Sequence, residues 1–133
     1  MSSKLTTSTA TIVFDSSCWL EVFDGGTRSS LFEKQAENVD NMVIPVITLY
    51  EVFKYLRRKF NADSATRAVT YMQRGQVIDM DSSIILDAAS NGLPLADSLI
   101  YATAQLHHAE LWTQDAHFEG LTGVKYFAKG ANV

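Results

Sequence analysis

The sequence predicts an α/β fold: a three-layer α/β/α sandwich around a mainly parallel sheet of four to five strands. Three observations predict it. Short β-branched or aromatic runs (TIVF, MVIPV, GQVIDM, ELWT and VKYF) alternate along the chain with longer stretches of helical periodicity. The connections are short, as at His107, His108 and Ala109, which join a helix to a strand. Acids stand where strands end and helices begin, and open parallel sheets keep their ligands along that edge.

Taken in order, residues 1–10 are Ser/Thr-rich and read as a flexible leader, and 11–133 as a single domain. TIVF is a buried strand ending at Asp15. Ser16 or Ser17 caps a helix carrying Trp19, Leu20, Val22 and Phe23, which Gly25 and Gly26 stop. Ser29 to Asn38 reads as a second, more polar helix. MVIPV is a second buried strand, ended or set near an edge by Pro45. Thr48 caps a third helix, LYEVFKYLRRKF, with Glu51 at the capping-box position. A fourth helix spans Ser64 to about Arg74, closed by Gly75, and GQVIDM follows as a strand. Asp81 or Ser82 caps a fifth helix ending near Asn91-Gly92. The stretch Leu95 to Asp115 organises the rest. Its apolar Leu99, Ile100, Ala102, Ala104 and Leu106 have the spacing of a helix buried along most of its length, and Glu110 to Thr113 is a strand. VKYF, after the EGLTG loop, closes the sheet.

At 133 residues the chain can bury a core without staples, and 47% hydrophobic against 20% charged residues reads as globular rather than disordered. A net charge of −4 leaves no overall basic footprint for nucleic acid, although a local basic face escapes that sum. One cysteine, Cys18, excludes an intrachain disulfide and suits a reducing compartment. No run approaches the roughly 20 apolar residues of a membrane span, and MSSKLTTSTAT lacks the apolar core of a signal peptide. The expectation is a soluble, cytoplasmic protein without membrane contact.

Four carboxylates share one structural address. Asp15 and Asp115 follow buried strands, and Glu51 and Asp97 open helices. Singly, each has a bland reading: Asp97 and Glu51 complement helix dipoles, and Asp15 and Asp115 are turn residues. Together they gather like charge at one sheet edge, where a cation or a proton must intervene. A hard divalent ion, Mg²⁺ or Mn²⁺, prefers such oxygen ligands. Other chemistries fit less well. Adjacent His107 and His108 diverge on a helix and offer no zinc pattern, and His117 reads as a surface or substrate-contacting residue. No Gly-rich phosphate loop is present, and Ser17 stands where an aspartyl-nucleophile phosphatase wants a second acid.

VFDSSCWLEVF, ITLYEVFKYL, LADSLIYATA and WTQDAHF together resemble the PIN-domain family, specifically its VapC-type toxin ribonucleases. The matching segments run in the family's order from Thr11 to Phe127. The resemblance implies a metal-dependent endoribonuclease, the toxin of a type II toxin–antitoxin pair, active as a homodimer and occluded by a cognate antitoxin. Position by position, Asp15 is similar to the family's first-strand acid, Glu51 to the acid of its third helix, Asp97 to that of D-x-x-I-x-A-T-A, and Asp115 to that of T-x-D. Ser16 and Thr113 stand at the family's supporting hydroxyls.

On this reading Asp15, Asp97 and Asp115 hold one Mg²⁺ or Mn²⁺, Glu51 binds through water or completes a second site, and metal-activated water cleaves RNA. Lys54, Arg57, Arg58 and Arg67, with Lys59 and Arg74 nearby, form either a phosphate-tracking groove or a solvated, salt-bridged face toward Glu33 and Glu37. Trp19, Leu20, Phe23, Leu31, Phe32, Tyr55 and Tyr71 form either core or a dimer or antitoxin groove. The rival functions are a catalytically weak module that binds RNA or protein, and a DNA-directed nuclease.

Overall fold

The computed structural model describes residues 10–129, so most of the Ser/Thr-rich leader lies outside the described residues. The strands are β1 (Ile12–Phe14), β2 (Val43–Pro45), β3 (Gln76–Ile78), β4 (Glu110–Thr113) and β5 (Val124–Tyr126). The helices are α1 (Ser16–Phe23), α2 (Glu33–Glu37), α3 (Val46–Lys59), α4 (Ala62–Met72), α5 (Ser82–Ala89) and α6 (Leu95–Leu106), and single turns of 3₁₀ helix fill Ser29–Leu31, Val39–Asn41 and Ala116–Phe118. All strand pairs are parallel. They form two ladders, β1-β4-β5 and β2-β3, and β2 lies beside β1 without ladder bonds between them among the described residues.

Alternation along the strands builds the two outer layers. Ile12, Phe14 and Ile44 face Trp19, Val52, Leu56, Ala68 and Met72 of α1, α3 and α4. Val13, Val43 and Leu111 face Ile100 and Ala104 of α6, and α5 packs on α6 through Ile84, Ala88, Leu99 and Ala102. On the first face the rings of Phe14 and Trp19 lie 5.0 Å apart, Phe14 and Phe32 5.8 Å, and Phe32 and Phe127 4.9 Å. Such pairs contribute about 0.5–1.5 kcal/mol each beyond burial, so the backbone just before Asp15 is held firmly.

Three expected element boundaries shift, each for a local reason. The helix expected over Ser29 to Asn38 breaks into a 3₁₀ turn and the five residues of α2. Phe32 is the cause: its fully buried ring sets its backbone at φ −117°, ψ −14°, off the helical value. Thr48 does not cap α3, because β2 runs straight into that helix through an extended Pro45, and the buried Thr48 hydroxyl donates back to the Pro45 carbonyl at 2.7 Å. Glu51 therefore sits in the second turn of α3 and makes no capping box. Asn61 starts α4 early, at Ala62, its Oδ1 accepting the Ser64 N–H at 2.8 Å.

The α6–β4 connection turns at His108, a non-glycine residue at φ +53°, a value His tolerates better than most. Gly75, between α4 and β3, is constrained by space. A Cβ there would come within 2.8 Å of both the Ile44 side chain and the Val39 carbonyl. Gly75→Ala is expected to cost about 1–3 kcal/mol by overpacking, read as a lower midpoint in urea unfolding with an unchanged slope.

Candidate functional site

A different local device sets each acid. Asp15 follows β1 and caps α1. Its Oδ1 accepts the Ser17 hydroxyl at 2.5 Å and the Cys18 N–H at 3.3 Å, and its Oδ2 accepts the Thr113 hydroxyl at 2.6 Å. Asp97 lies in the first turn of α6, where its charge complements the helix N-terminus. Asp115 caps the Ala116–Phe118 turn by accepting the His117 N–H at 2.9 Å, and the fully buried Phe118 anchors that turn. Glu51 accepts the Ser16 hydroxyl at 2.5 Å, tying α3 to the start of α1.

The parallel topology brings all four to one edge, and their charges feel one another. The Asp115 charge helps to raise the carboxyls of Asp15 and Asp97, and the Glu51 charge adds to the effect on Asp97. For Asp97, loss of water is the larger cause and neighbouring His117 opposes it. Among the described residues Asp97, Asp115 and His117 are the group whose ligand atoms all lie within 4.8 Å of one another. His117 Nδ1 stands 3.0 Å from Asp97 Oδ2 and 3.1 Å from Asp115 Oδ1. Hydrogen bonding and charge from Asp115 hold the imidazole above its ordinary value.

The donor set fits a hard divalent cation. Carboxylate oxygens of Asp97 and Asp115 lie within 4.8 Å of each other and of the His117 ring nitrogen, and these two acids would hold such an ion. Asp15 stands behind this pair, only 3% exposed, with both oxygens engaged. Among the described residues the expected trio of Asp15, Asp97 and Asp115 therefore does not close into one ligand cluster: Asp97 and Asp115 meet with His117, and Asp15 is coupled by charge to Asp115.

Ser17 and Thr113 hold Asp15, while Ser16 serves Glu51. Both hydroxyls that donate to Asp15 accept in turn from the β4 end: Gln114 N–H to Ser17 Oγ at 3.1 Å, and Asp115 N–H to Thr113 Oγ1 at 2.9 Å. Ser16 or Ser17 was the expected cap of α1, but Asp15 is its cap. Ser17 instead donates its hydroxyl to that carboxylate, a role its place two residues after an Asp could have signalled. The sequence reading missed Gln114, which is buried. Gln114 accepts from Arg28 Nε at 2.7 Å and donates to Glu21 Oε1 at 3.0 Å, a long-range arrangement with no local signature.

Lys54, Arg57 and Arg58 make no ion pair among the described residues. Lys59 pairs with Asp24, Arg67 with Asp63 and Arg74 with Asp40, so the cations of α3 and α4 are not neutralised by Glu33 or Glu37. The apolar residues divide. Trp19 and Phe32 are core, and Leu20, Phe23 and Tyr71 pack partly against it. Leu31 and Tyr55 are exposed. Phe23, Leu56, Phe60, Ala68 and Tyr71 line a groove of 430 Å³ between α1, α3 and α4.

The PIN domain family model matches residues 12–123. The structure is similar to a toxin–antitoxin complex from Klebsiella pneumoniae, at TM-score 0.70 and 27% identity over 86% of this chain and 96% of that one. It is also similar to VapC20 of Mycobacterium tuberculosis, a sarcin-ricin loop cleaving toxin, at TM-score 0.71 and 15% identity over 86% and 97% of the two chains. The DNA-bound VapBC of Salmonella typhimurium matches at TM-score 0.66 and 17% identity over 90% and 98%. At these last two identities the likeness is one of fold. No curated protein gives a significant match.

Burial lifts the Asp15 carboxyl from the ordinary 3.8 to about 6, outweighing its three hydrogen-bond donors. A carboxyl whose pKa rises on folding contributes stability that is full below about pH 4 and lost as pH rises through 6. In metal-free buffer the stability of the wild type minus that of Asp15→Asn should therefore fall by about 2 kcal/mol between pH 4 and pH 7. Denaturant midpoints across that range measure it, and a flat difference would contradict the assignment.

Proposed function

The chain belongs to the PIN-domain family, and on that premise we propose that it is a divalent-cation-dependent endoribonuclease, the toxin of a toxin–antitoxin pair. The observation that carries this reading is the meeting of Asp97 and Asp115 at the sheet edge, with Asp15 and Glu51 close enough for their charges to interact. A pure binding module has no reason to gather like charges there. Bound Mg²⁺ or Mn²⁺ supplies an activated water and neutralises charge on the phosphate.

The chain's own residues do the rest. Asp97 and Asp115 hold the ion, and Asp15 deepens the negative potential behind them. Thr113 and Ser17 fix the Asp15 carboxylate and, through the backbone N–H groups of Gln114 and Asp115, the placement of Asp115. Glu51, kept in place by Ser16, binds through water or completes a second site. His117, exposed and hydrogen-bonded to both Asp97 and Asp115, would contact the substrate at the mouth of the site. Lys54, Arg57 and Arg58, with Arg67 beyond, lead phosphates toward the acids.

Structures of similar fold supply the remaining support. One such toxin cleaves the sarcin-ricin loop, and others lie in complex with antitoxins. An antitoxin partner is the part of this reading that those structures support. We further read residues 11–133 as one PIN-like domain that works as a homodimer in the cytoplasm, with the apolar groove beside Phe23 and Tyr71 as the antitoxin's seat. Among the described residues no helix is long and apolar enough to cross a membrane.

A pool of single-stranded and structured RNA tests the reading. Wild type should cut it with Mg²⁺ and not with EDTA, and Asp15→Ala or Asp97→Asn should lower the rate at least about 100-fold. A folded, metal-binding protein that cuts nothing would favour the binding module. In a second measurement, Arg57→Ala and Arg58→Ala should each flatten the log–log salt dependence of RNA binding by about 0.7. An unchanged slope would return these cations to a plain solvated face.

A further inference from the structure

We propose that the outer face of α3 carries a nucleobase-stacking subsite, formed by Tyr50 and Tyr55, for an unpaired nucleotide of the RNA next to the scissile phosphate. This inference rests on the nuclease reading and specifies the substrate's form. Two rows of side chains run along the helix at intervals of four, Tyr50-Lys54-Arg58 and Glu51-Tyr55-Lys59. Between them lies a groove of 390 Å³, bounded at one end by Glu51 of the acid edge.

Its rings are large apolar surfaces left in water: Tyr50 is 57% exposed and Tyr55 40%. They differ in mobility. The Tyr55 hydroxyl donates to Asp24 at 3.3 Å, and Lys59 grips the same carboxylate at 2.7 Å, so that wall is fixed. Tyr50 has only the Lys54 ammonium, 3.4 Å from its hydroxyl and 5.5 Å from its ring centre, and can adjust to what enters.

Charge selects the occupant. Lys54 and Arg58 line the groove and Arg57 flanks it, none of them ion-paired among the described residues, in a chain whose net charge is −4. Exposed aromatic rings interleaved with cations that no carboxylate neutralises among the described residues, Lys54 and Arg58, match the alternation of bases and phosphates in an unpaired strand. Lys54 on the Tyr50 ring and Lys59 over the Tyr55 ring hold those faces until a base enters. A paired base hides both faces and cannot use these rings. The proposal therefore predicts cleavage at unpaired positions.

The test is anisotropy of a short fluorescein-labelled single-stranded RNA in EDTA, where cutting does not compete. Tyr50→Ala with Tyr55→Ala should weaken binding about 10-fold or more, and the Phe pair should restore it, since stacking needs the ring and not the hydroxyl. In Mg²⁺ the Ala pair should raise KM and spare kcat. An abasic site at one position of the RNA should cost the wild type about as much as the Ala pair and cost the Ala pair little more. Normal binding and normal cleavage by the Ala pair would overturn the subsite and leave the nuclease standing. An Ala pair that binds RNA normally but sediments differently would make this face a protein interface instead and overturn the subsite. A wild type that binds the RNA through these rings yet never cuts it upholds the subsite and sinks the nuclease.

Discussion

The structure turns on one buried carboxylate. Asp15 is removed from water at the end of β1, and desolvation outweighs the three donors that hold it. Burial of this kind persists only when the surroundings are over-determined. Phe14 is clamped in a cluster of rings on one side, and the Ser17 and Thr113 hydroxyls tie α1 to the end of β4 on the other. The same two hydroxyls accept from the backbone that leads to Asp115. The most buried of the four acids is thus tied, through two hydroxyls, to the backbone that carries Asp115.

Around that point the molecule separates its charges. Carboxylates collect where parallel strands end, because every strand of a parallel sheet delivers its C-terminus to the same edge. Cations collect on the outer face of α3, whose Glu51 belongs to the acid edge. On the nuclease reading the second region would draw a polyanion and the first would need a cation before tolerating it. An overall charge of −4 conceals this division, so the composition gave no sign of it.

Much of this was legible in the residues. Each strand is a short apolar run and most end in an acid or a turn, so strand positions and the address of Asp15, Asp97 and Asp115 followed from local pattern. Helix α6 was legible because nearly all its inward positions are apolar. Tertiary contacts decided the rest. Phe32 breaks a helix that its local sequence favours, since the core takes its ring. β2 enters α3 without a pause, which moved Glu51 from a capping position to a bridge with Ser16. His117 looked like a surface residue and is one by exposure, yet a single 3₁₀ turn folds its ring back between two acids. No periodicity announces a one-turn reversal.

Helix α3 runs as one unbroken rod from Val46 to Lys59, and its two long faces look onto different neighbourhoods. Leu56 lies on the side of the apolar groove with α1 and α4, and Glu51 meets the acid edge. Eight residues separate Glu51 from Lys59, a lever arm of about 12 Å at the helical rise. A tilt of about 5° about the far end would carry Glu51 through roughly 1 Å, a displacement that can cost a positioned group about 100-fold in rate. A body wedged into the groove thus has mechanical purchase on the acids without touching them.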